Sequence, residues 1–451
     1  MLVLVRLYPT SGLAEFWKAI EFEKRNLYWK DIKPLYAIQQ EGKRYLSIVL
    51  DVRNLESLQK DFLNNIAALA SVRKIKTIPL MTPIYFPIPK GFPKDCVRFQ
   101  VFLRVKPNLM SDVYTTIISF DYPEDIAVTY LSYSFGDDDI IISMLGTDRE
   151  SVHSFLSKKM SRIDGVVSFE MSRVIRSEYM LPPEGSDAHR KRFQYSSPAG
   201  KKGRFANSEA NQKYLNERAP LTAVVRLFAS KDLGRLWDDI EKNMPTFESK
   251  KIVPLYASQQ EDRDYVSVIL EAQNFEVLRE MLTGKLPALI DIRKTRTVPM
   301  LEPTYFLLPK THPEGLERHL ITLQVEPTML QSMKARIISL DFPDNVFLTH
   351  FAYLLGEDDI MLSILTDSDK TARKFTKEAF GKLEGVRSYD VSSQVKTKRL
   401  TSKGSWKRHQ GKYLSSYVKQ HRKDYDARYD WTDDIYAYAM MEGAYPPDME
   451  H

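Results

Sequence analysis

An internal repeat is the feature that most constrains how this chain can fold. Residues 3–176 recur at residues 223–396 with a constant offset of 220 and no gap. The segment PLYA at 34–37, for example, returns at 254–257. Self-similarity at a fixed period indicates a duplicated folding unit. We therefore expect paired, pseudo-equivalent surfaces or pockets, with sites between copies as well as within one.

Within each copy the hydrophobic pattern changes period in the same order twice. Short β-branched and aromatic runs indicate strands, and apolar residues at helical spacing indicate helices between them. In the first module the strands fall at 3–8, 32–39, 44–52 and 72–78, with helices at 12–24 and 55–69. The order β-α-β-β-α-β is that of the ferredoxin-like module, an antiparallel sheet with both helices on one face. The predicted fold class is α+β, with four tandem ferredoxin-like βαββαβ modules arranged as a two-fold internal duplication.

Composition and the module pattern together predict six segments. A proline-rich stretch at 79–89 is expected to be a stiff, extended connector between the first two modules. The predicted segments are module 1 at 1–82, module 2 at 83–180, a basic flexible linker at 181–220, module 3 at 221–302, module 4 at 303–396, and a basic then acidic aromatic tail at 397–451.

Composition also excludes several classes of protein. The chain has 451 residues, of which 43% are hydrophobic, as in ordinary globular proteins. It has no run of about 18 apolar residues, so we expect no spanning helix. The first residues lack the basic start of a signal peptide. The single cysteine, Cys96, argues against disulfides and favours a cytoplasmic location.

The net charge of +6 is unevenly distributed. Residues 187–218 carry a net charge of +5 and residues 396–423 a net charge of +10, whereas residues 424–451 carry −7. The remainder of the chain, which contains both copies, is close to neutral. The positive charge is therefore concentrated in the predicted linker and tail, where a partner is expected to bind.

The sharpest local motif is a glycine–aspartate turn before the third strand of module 2. Gly136 is followed by three aspartates, and a predicted helix then leads to Gly165-Val166. The second copy has Gly356 with three acidic residues, then Gly385-Val386. Over 97–176 and 317–396 this pattern resembles the effector-binding module of the Lrp/AsnC (feast/famine) transcriptional regulators, a RAM-like domain.

That resemblance implies modules that pair through their sheets and bind small ligands, often amino acids, near this turn. The ligand-binding positions it carries over are Gly136, Asp137, Asp138, Asp139, Gly356, Glu357, Asp358 and Asp359. A simpler interpretation stays open, because Asp and Gly are common in tight turns. We expect no counterpart of the family's helix-turn-helix, because the first predicted strand begins at Leu2. A prokaryotic, archaeal setting fits the family.

The basic segments suggest a second interpretation, in which lysine and arginine neutralise phosphates while aromatic residues stack on bases. The predicted nucleic-acid-binding residues are Arg190, Lys191, Arg192, Lys201, Lys202, Arg204, Lys403, Lys407, Arg408 and Lys412. Two alternatives stay open. The charge could only keep a linker soluble, or it could bind an acidic protein or the chain's own acidic tail.

Enzymatic motifs are not found in the sequence. The eight histidines are scattered, and there is no His-x-x-x-His pair, cysteine pair or glycine-rich phosphate loop. We therefore predict no catalytic residue, no metal site and no cofactor. Gln39-Gln40 recurs as Gln259-Gln260, and strand alternation requires one of each pair to point inward, either as a buried amide or as a ligand contact.

The predicted function is that of a non-catalytic regulatory or scaffold protein that senses a small ligand, such as an amino acid, at module interfaces and influences transcription. The alternative is a nucleic-acid- or ribosome-associated protein that acts through its basic linker and tail. Predicted partners are a small-molecule effector, nucleic acid or an acidic protein, and a second copy of the chain, with no membrane.

Overall fold

The computed structural model describes residues 1–23, 31–53, 55–69, 72–89, 91–196, 204–205, 221–306, 308–309, 313–413 and 429–430. Contacts divide the chain into two compact units. Unit 1 comprises Met1–Pro220 with the short segments Gln273–Leu289 and Arg293–Arg296. Unit 2 comprises Leu221–Ala272, Ile290–Ile292 and Thr297–His451.

The first copy contains eight long strands. They are β1 (Leu2–Pro9), β2 (Ile32–Gln40), β3 (Leu46–Val52), β4 (Val72–Tyr85), β5 (Val97–Val105), β6 (Ile126–Ser134), β7 (Ile140–Gly146) and β8 (Val166–Tyr179). Its helices are α1 (Leu13–Glu23), α2 (Leu55–Ser57), α3 (Asn64–Leu69), α4 (Met110–Ile118), α5 (Arg149–Lys158) and α6 (Pro183–Arg192). A π-helical turn, Leu58–Leu63, joins α2 to α3. The short strands β9 (Tyr195–Ser196) and β10 (Arg204–Phe205) pair with each other.

The eight strands close into one antiparallel barrel in the order β1-β3-β2-β8-β5-β7-β6-β4. Two long strands close it, because each pairs with both modules. Along β4, residues 72–80 pair with β1, and Leu80 to Tyr85 then pair with β6 across a bulge. Along β8, residues 166–173 pair with β5 and residues 174–179 with β2. The two modules of one copy therefore share a single continuous sheet.

The interior of the barrel, here called the lumen, is filled from most of the strands. A buried cluster takes residues from seven of the eight strands, so it can form only inside the barrel. Its members are Leu2, Leu4, Leu35, Val49, Ile78, Leu80, Phe102, Tyr130 and Ile141, with Tyr36, Tyr85 and Leu181 packed against them. Alternation along each strand places every second side chain in this lumen.

Unit 2 repeats the same architecture. Its barrel strands are β11 (Leu221–Ala229), β12 (Ile252–Gln260), β13 (Tyr265–Ala272), β14 (Ile292–Tyr305), β16 (Glu317–Val325), β17 (Val346–Leu354), β18 (Ile360–Thr366) and β19 (Val386–Arg399). They close in the order β11-β13-β12-β19-β16-β18-β17-β14. The helices of the second copy are α7 (Leu233–Asn243), α8 (Phe275–Glu280), α9 (Leu286–Leu289), α10 (Leu330–Ile338), α11 (Asp369–Ala379) and α12 (Lys403–Tyr413). Two short strands, β15 (Leu308–Pro309) and β20 (Tyr429–Asp430), pair with each other.

The predicted fold class is confirmed: both units are α+β and are built from ferredoxin-like modules. The structure adds that the four modules are joined in pairs. It also differs from the sequence prediction in three segments. The predicted connector at 79–89 begins as part of β4, and helix α6 lies within the predicted linker. Helix α12 likewise lies in the predicted tail. Apart from the pair Tyr429–Asp430, tail residues 414–451 lie outside the described residues.

The inward-facing glutamine is also observed. Gln40 and Gln260 are 2% and 1% exposed, whereas Gln39 and Gln259 are half-buried. No helix in the described part of the chain is long and apolar enough to cross a membrane.

Candidate functional site

The glycine–aspartate turn of the first copy is engaged by the barrel itself. A Cβ atom on Gly136 would lie 3.1 Å from Cγ2 of Ile78, so a side chain there would crowd β4. The Oδ2 atom of Asp139 accepts a hydrogen bond of 2.8 Å from the backbone N–H of Val105. Burial raises the pKa of Asp139 to about 7, although this hydrogen bond favours the ionised form. These contacts fix the end of β5 against the turn.

The other two aspartates of this turn are paired with cations. Asp137 accepts a hydrogen bond from Lys76. Burial raises the pKa of Asp137, but the hydrogen bond and charge of Lys76 outweigh it, so the net shift is downward. Asp138 lies 3.8 Å from Arg6 and 3.9 Å from Arg104. Its pKa is raised because burial outweighs those charges.

The second copy repeats this arrangement. A Cβ atom on Gly356 would lie 3.1 Å from Val298, and Asp359 accepts 2.7 Å from the N–H of Val325. Asp358 lies 3.6 Å from Arg226, and burial raises its pKa. Glu357 is half-buried. The turn thus has a structural role in both copies, and ligand binding at these eight positions stays a prediction.

The glycine of the Gly-Val pair also has a structural reason. Gly165 has φ +96° and Gly385 has φ +90°, a backbone region that disfavours side chains. A Cβ atom at these positions would lie 2.6 Å from Cβ of Leu109 and 2.8 Å from Cβ of Met329. The residues that carry the Lrp/AsnC resemblance therefore have a structural role in this module.

The predicted nucleic-acid-binding residues are distributed over separate segments. Arg190 and Lys191 lie on α6, and the guanidinium of Arg190 stacks 4.9 Å from the ring centre of Tyr179. Lys403, Lys407, Arg408 and Lys412 are exposed on α12. Arg204 lies in β10, and Arg192 ends α6. Lys201 and Lys202 lie outside the described residues, as do the side chains of Arg192 and Arg204.

A cavity of about 460 Å³ opens in the lumen of unit 1 beneath helix α6. Its wall is mainly apolar and aromatic, with a few polar groups. The lining residues are Leu35, Tyr36, Ile38, Tyr85, Phe86, Pro87, Ile88, Arg98, Gln100, Thr129, Tyr130, Ser143, Ser177, Glu178, Tyr179, Leu181, His189, Arg190, Lys191 and Gln194. This volume and this mixture of groups are typical of small-molecule sites.

Arg98 places a permanent positive charge in this wall. Its Nη1 atom donates one long hydrogen bond, 3.4 Å, to the hydroxyl of Ser143. No carboxylate of the described residues lies within ion-pair distance of Arg98. A cation in a partly buried wall is costly unless it is paired, so an anionic ligand would stabilise it.

Three tyrosines of the cavity remain protonated. Burial raises the pKa of Tyr36, Tyr85 and Tyr130 far above that of free tyrosine. The ring centres of Tyr85 and Tyr130 lie 5.0 Å apart in a tilted arrangement. These side chains therefore offer aromatic faces and hydroxyl hydrogen bonds, but no base at neutral pH.

His189 enters the cavity from α6 and is 7% exposed. Its Nδ1 atom lies 3.7 Å from Oδ2 of Asp51 on β3. Its Nε2 atom is buried and has no hydrogen-bond partner among the described residues. Buried polar atoms normally have a partner, but this one is shielded from the open volume of the cavity as well as from solvent.

The corresponding histidine of unit 2 has protein groups close to both ring nitrogens, and its Nε2 atom is hydrogen-bonded. His409, 220 positions after His189, is buried on α12, and its Nδ1 lies 3.0 Å from Oε1 of Glu271. Its Nε2 atom lies 2.9 Å from the hydroxyl of Tyr305. Burial lowers the pKa of His409 despite the nearby Glu271. The histidine of unit 2 is therefore part of the packed interior.

Two further residues of unit 2 complete this contrast. Trp406 is 1% exposed and packs against Tyr256 and Tyr305, with ring centres 6.3 and 5.7 Å away. The residue 220 positions earlier is Ser186, a much smaller residue type. Arg318, the counterpart of Arg98, donates to the hydroxyls of Thr349 at 3.0 Å and Ser363 at 2.9 Å.

The sequence analysis missed this lumen site. A signal was present, because the repeat continues past residue 176. Tyr36, Tyr85, Arg98, Ser143 and His189 all recur at the offset of 220, as Tyr256, Tyr305, Arg318, Ser363 and His409. The described residues contain no group of three or more side chains arranged to hold a metal ion.

Comparison with known proteins identifies no family for this chain. No family model and no curated protein matches the chain. A putative monooxygenase from Lactobacillus acidophilus NCFM matches over 41% of this chain and 98% of its own, with 12% identity and a TM-score of 0.28. A chlorite dismutase mutant from Candidatus Nitrospira defluvii matches over 39% and 91%, with 10% identity and a TM-score of 0.26. A major regulator of staphylococcal pathogenesis matches over 40% and 100%, with 8% identity and a TM-score of 0.23.

The function predicted from the sequence, a ligand-sensing regulator of transcription or a nucleic-acid-associated protein, is wrong by this comparison. Among the structures that match are monooxygenase-like proteins and chlorite dismutases, and no Lrp/AsnC model matches. The physical reason for the error is that the motif behind the resemblance builds the module.

Proposed function

We propose that unit 1 binds a small, mainly apolar organic anion in its lumen beneath α6 and does not catalyse a reaction on it. The observation that carries this proposal is that Arg98, in the wall of an aromatic cavity, has no carboxylate partner among the described residues. Apolar surface supplies affinity, and a few fixed polar groups supply orientation.

The charges around the cavity favour an anion. Arg98, Arg190 and Lys191 are cationic, whereas Glu178 is the one carboxylate among the lining residues. An arginine binds a carboxylate through two parallel hydrogen bonds, and such charge-assisted bonds are stronger than neutral ones. The aromatic faces of Tyr36, Tyr85 and Tyr130 favour a flat ligand.

The comparison between the two units supports the same conclusion. In unit 2 the hydroxyls of Thr349 and Ser363 both accept from Arg318, and Trp406 belongs to the buried hydrophobic cluster of that lumen. In unit 1 the equivalent arginine has a single long bond and faces empty volume. Side chains thus fill the lumen of unit 2 around this cluster, whereas the lumen of unit 1 has volume for a ligand.

The test is calorimetric titration of the full chain with benzoate and 1-naphthoate, each compared with its uncharged carboxamide. We expect the carboxylates to bind and the amides to bind more weakly. Arg98→Gln should weaken carboxylate binding by roughly 10- to 100-fold, the equivalent of a charge-assisted bond of about 1.5–3 kcal/mol. The matched variant Arg318→Gln should leave the affinity unchanged. Equal binding of acid and amide, or an unchanged affinity in Arg98→Gln, would contradict the proposal.

Two finer predictions stay hypotheses beside this one. Kinship of modules 2 and 4 with Lrp/AsnC effector modules is supported by the glycine and aspartate positions alone. A cytoplasmic location is supported by the single cysteine, Cys96.

A further inference from the structure

We infer that the ligand of unit 1 is an aromatic dianion with its two anionic groups at separate positions of the ring. One group binds Arg98 inside the lumen, and the other binds Arg190 and Lys191 at the mouth of the cavity. This inference rests on the proposed function, because it names the class of anion that the same cavity takes. Benzenedicarboxylates are the simplest members of that class.

Strand β5 supplies the inner end of the site. Arg98 donates to the buried hydroxyl of Ser143, and Gln100, two residues further along the same face of β5, is 7% exposed and also lines the cavity. The Gln100 amide and the Nη2 atom of Arg98 form no hydrogen bond with the described residues, and neither is among the fully buried atoms left without a partner. Both groups can therefore donate to a carboxylate that enters the lumen.

Helix α6 supplies the outer end. Arg190 is half-buried and stacks on Tyr179, which is 49% exposed, and Lys191 is exposed. Both cations line the cavity, and neither forms an ion pair with a carboxylate of the described residues. The exposure of Tyr179 and Lys191 places this end at the mouth, where a second anionic group can bind without losing all of its water.

The two ends act on one aromatic residue of the wall. Burial raises the pKa of Tyr36, while the charges of Arg98 and Arg190 both oppose that shift. Tyr36 packs against the lumen cluster and lines the cavity. A single aromatic ring beside Tyr36 can therefore carry one anionic group toward each arginine.

The charge of the wall matches a dianion better than a monoanion. Its permanent cations are Arg98, Arg190 and Lys191, and Glu178 is the one carboxylate among the lining residues, which leaves two positive charges in excess. Like charges around a partly apolar cavity repel each other, and one carboxylate would neutralise only half of this excess. Two anionic groups neutralise all of it.

Unit 2 has lost these polar groups at the matching positions. The residues 220 positions after Gln100, Arg190 and Lys191 are Leu320, Gln410 and Gly411. Leu320 packs against the buried cluster of unit 2, where Gln100 of unit 1 lines the cavity. The amide and the two cations of the mouth therefore go together with the open lumen of unit 1.

The experiment is calorimetric titration of the full chain with isophthalate and terephthalate, compared with benzoate and phenyl phosphate. The two dicarboxylates carry their charges at separate positions of the ring, whereas phenyl phosphate carries its charge at one position. We expect at least one dicarboxylate to bind about fivefold or more tightly than benzoate, through the added charge-assisted bonds. This gain should shrink at high salt, because the outer end is exposed to solvent.

The variants separate the two ends of the site. Arg190→Gln introduces the residue type found in unit 2, and it should remove most of the dicarboxylate gain while changing the benzoate and phenyl phosphate affinities by less than about twofold. Gln100→Leu acts at the inner end, so it should weaken benzoate and the dicarboxylate by the same factor. Lys407→Gln, at an exposed cation of α12, is the matched control and should leave every affinity unchanged. Circular dichroism of each variant checks that it is folded.

Three results would overturn the inference. If benzoate binds and neither dicarboxylate binds more tightly, the second anionic group is refuted and the proposed anion site stands. A dicarboxylate gain that persists when Arg190→Gln and Lys191→Gln are combined in a folded variant assigns the second group to another part of the protein. If none of the four compounds binds, the proposed function fails and the inference fails with it.

Discussion

The hydroxyl of Tyr305 lies 2.9 Å from Nε2 of His409, and both side chains are buried beneath helix α12. The same histidine position in unit 1 has no such partner among the described residues. The two copies therefore differ at this position: a tyrosine hydroxyl pairs with the histidine Nε2 in unit 2 and not in unit 1.

Replacing Tyr305 by Phe should destabilise the protein by about 1–3 kcal/mol, because the buried Nε2 of His409 would lose its partner. The matched change Tyr85→Phe should cost less, since the Tyr85 hydroxyl does not pair with His189. Denaturant titrations of both variants give the two free energies of unfolding. Equal losses would contradict the difference that we describe between the two lumens.

Trp406→Ala should be among the most damaging single changes in unit 2. The indole is 1% exposed and packs against Tyr256 and Tyr305, and truncation of such a residue costs about 3–5 kcal/mol. Added indole should recover part of the lost melting temperature by filling the cavity. Phe22→Ala, at a side chain that is 85% exposed, is the control and should be nearly neutral.

Asp139→Asn should change how stability depends on pH. Burial raises the pKa of Asp139 to about 7 in the folded chain, above its unfolded value of about 3.9. Its contribution is therefore complete below about pH 4 and is lost as the pH rises through 7, at about 1.4 kcal/mol per pH unit. The Asn variant should match wild type near pH 4 and exceed its stability at pH 8.

Denaturant titrations across this pH range measure that difference for Asp139→Asn, and Asp112→Asn at an exposed position serves as the control. A difference between wild type and Asp139→Asn that stays constant from pH 4 to 8 would show that Asp139 is not the titrating group.

His350 should make unit 2 sensitive to acid. Burial, with the charges of His409 and Arg318 nearby, lowers the pKa of His350 to about 3. The neutral form is favoured on folding, so its stabilisation is complete above about pH 6.5 and is lost as the pH falls toward 3, at about 1.4 kcal/mol per unit.

His350→Tyr should remove this acid sensitivity, because the first copy accommodates Tyr130 at the same position. The ring centres of Tyr130 and Tyr85 lie 5.0 Å apart, and those of His350 and Tyr305 lie 4.9 Å apart. Thermal melts between pH 4 and 7 provide the measurement, with the exposed His153→Tyr as control. An unchanged acid slope in His350→Tyr would count against this assignment.

Local patterns were enough to predict the order of strands and helices. Alternation along β1, helical spacing in α1 and the turn at Gly136 are properties of neighbouring residues, so one sequence contains them. The pairing of β4 with β6 and of β8 with β2 joins residues far apart in the chain, and nothing local specifies it. Barrel closure was therefore missed.

The lumen site was missed for a related reason. The cavity side chains come from six strands, one helix and the segments that follow them, and none stands out in its local sequence. Helix α6 was missed because its polar composition leaves few apolar residues at helical spacing. The position of His189 near Asp51 depends on the barrel fold and is not visible in the sequence. Recurrence of these residues at the 220-residue offset was the one accessible sign.

The two strands shared between modules also bear on how this protein can associate. In unit 1, β4 and β8 each pair with strands of both modules. Every strand of that barrel therefore has two hydrogen-bonded neighbours, and the same holds in unit 2. Neither eight-stranded sheet offers an unpaired backbone row to an incoming chain. Partners of these barrels must therefore recognise side chains rather than extend the sheet.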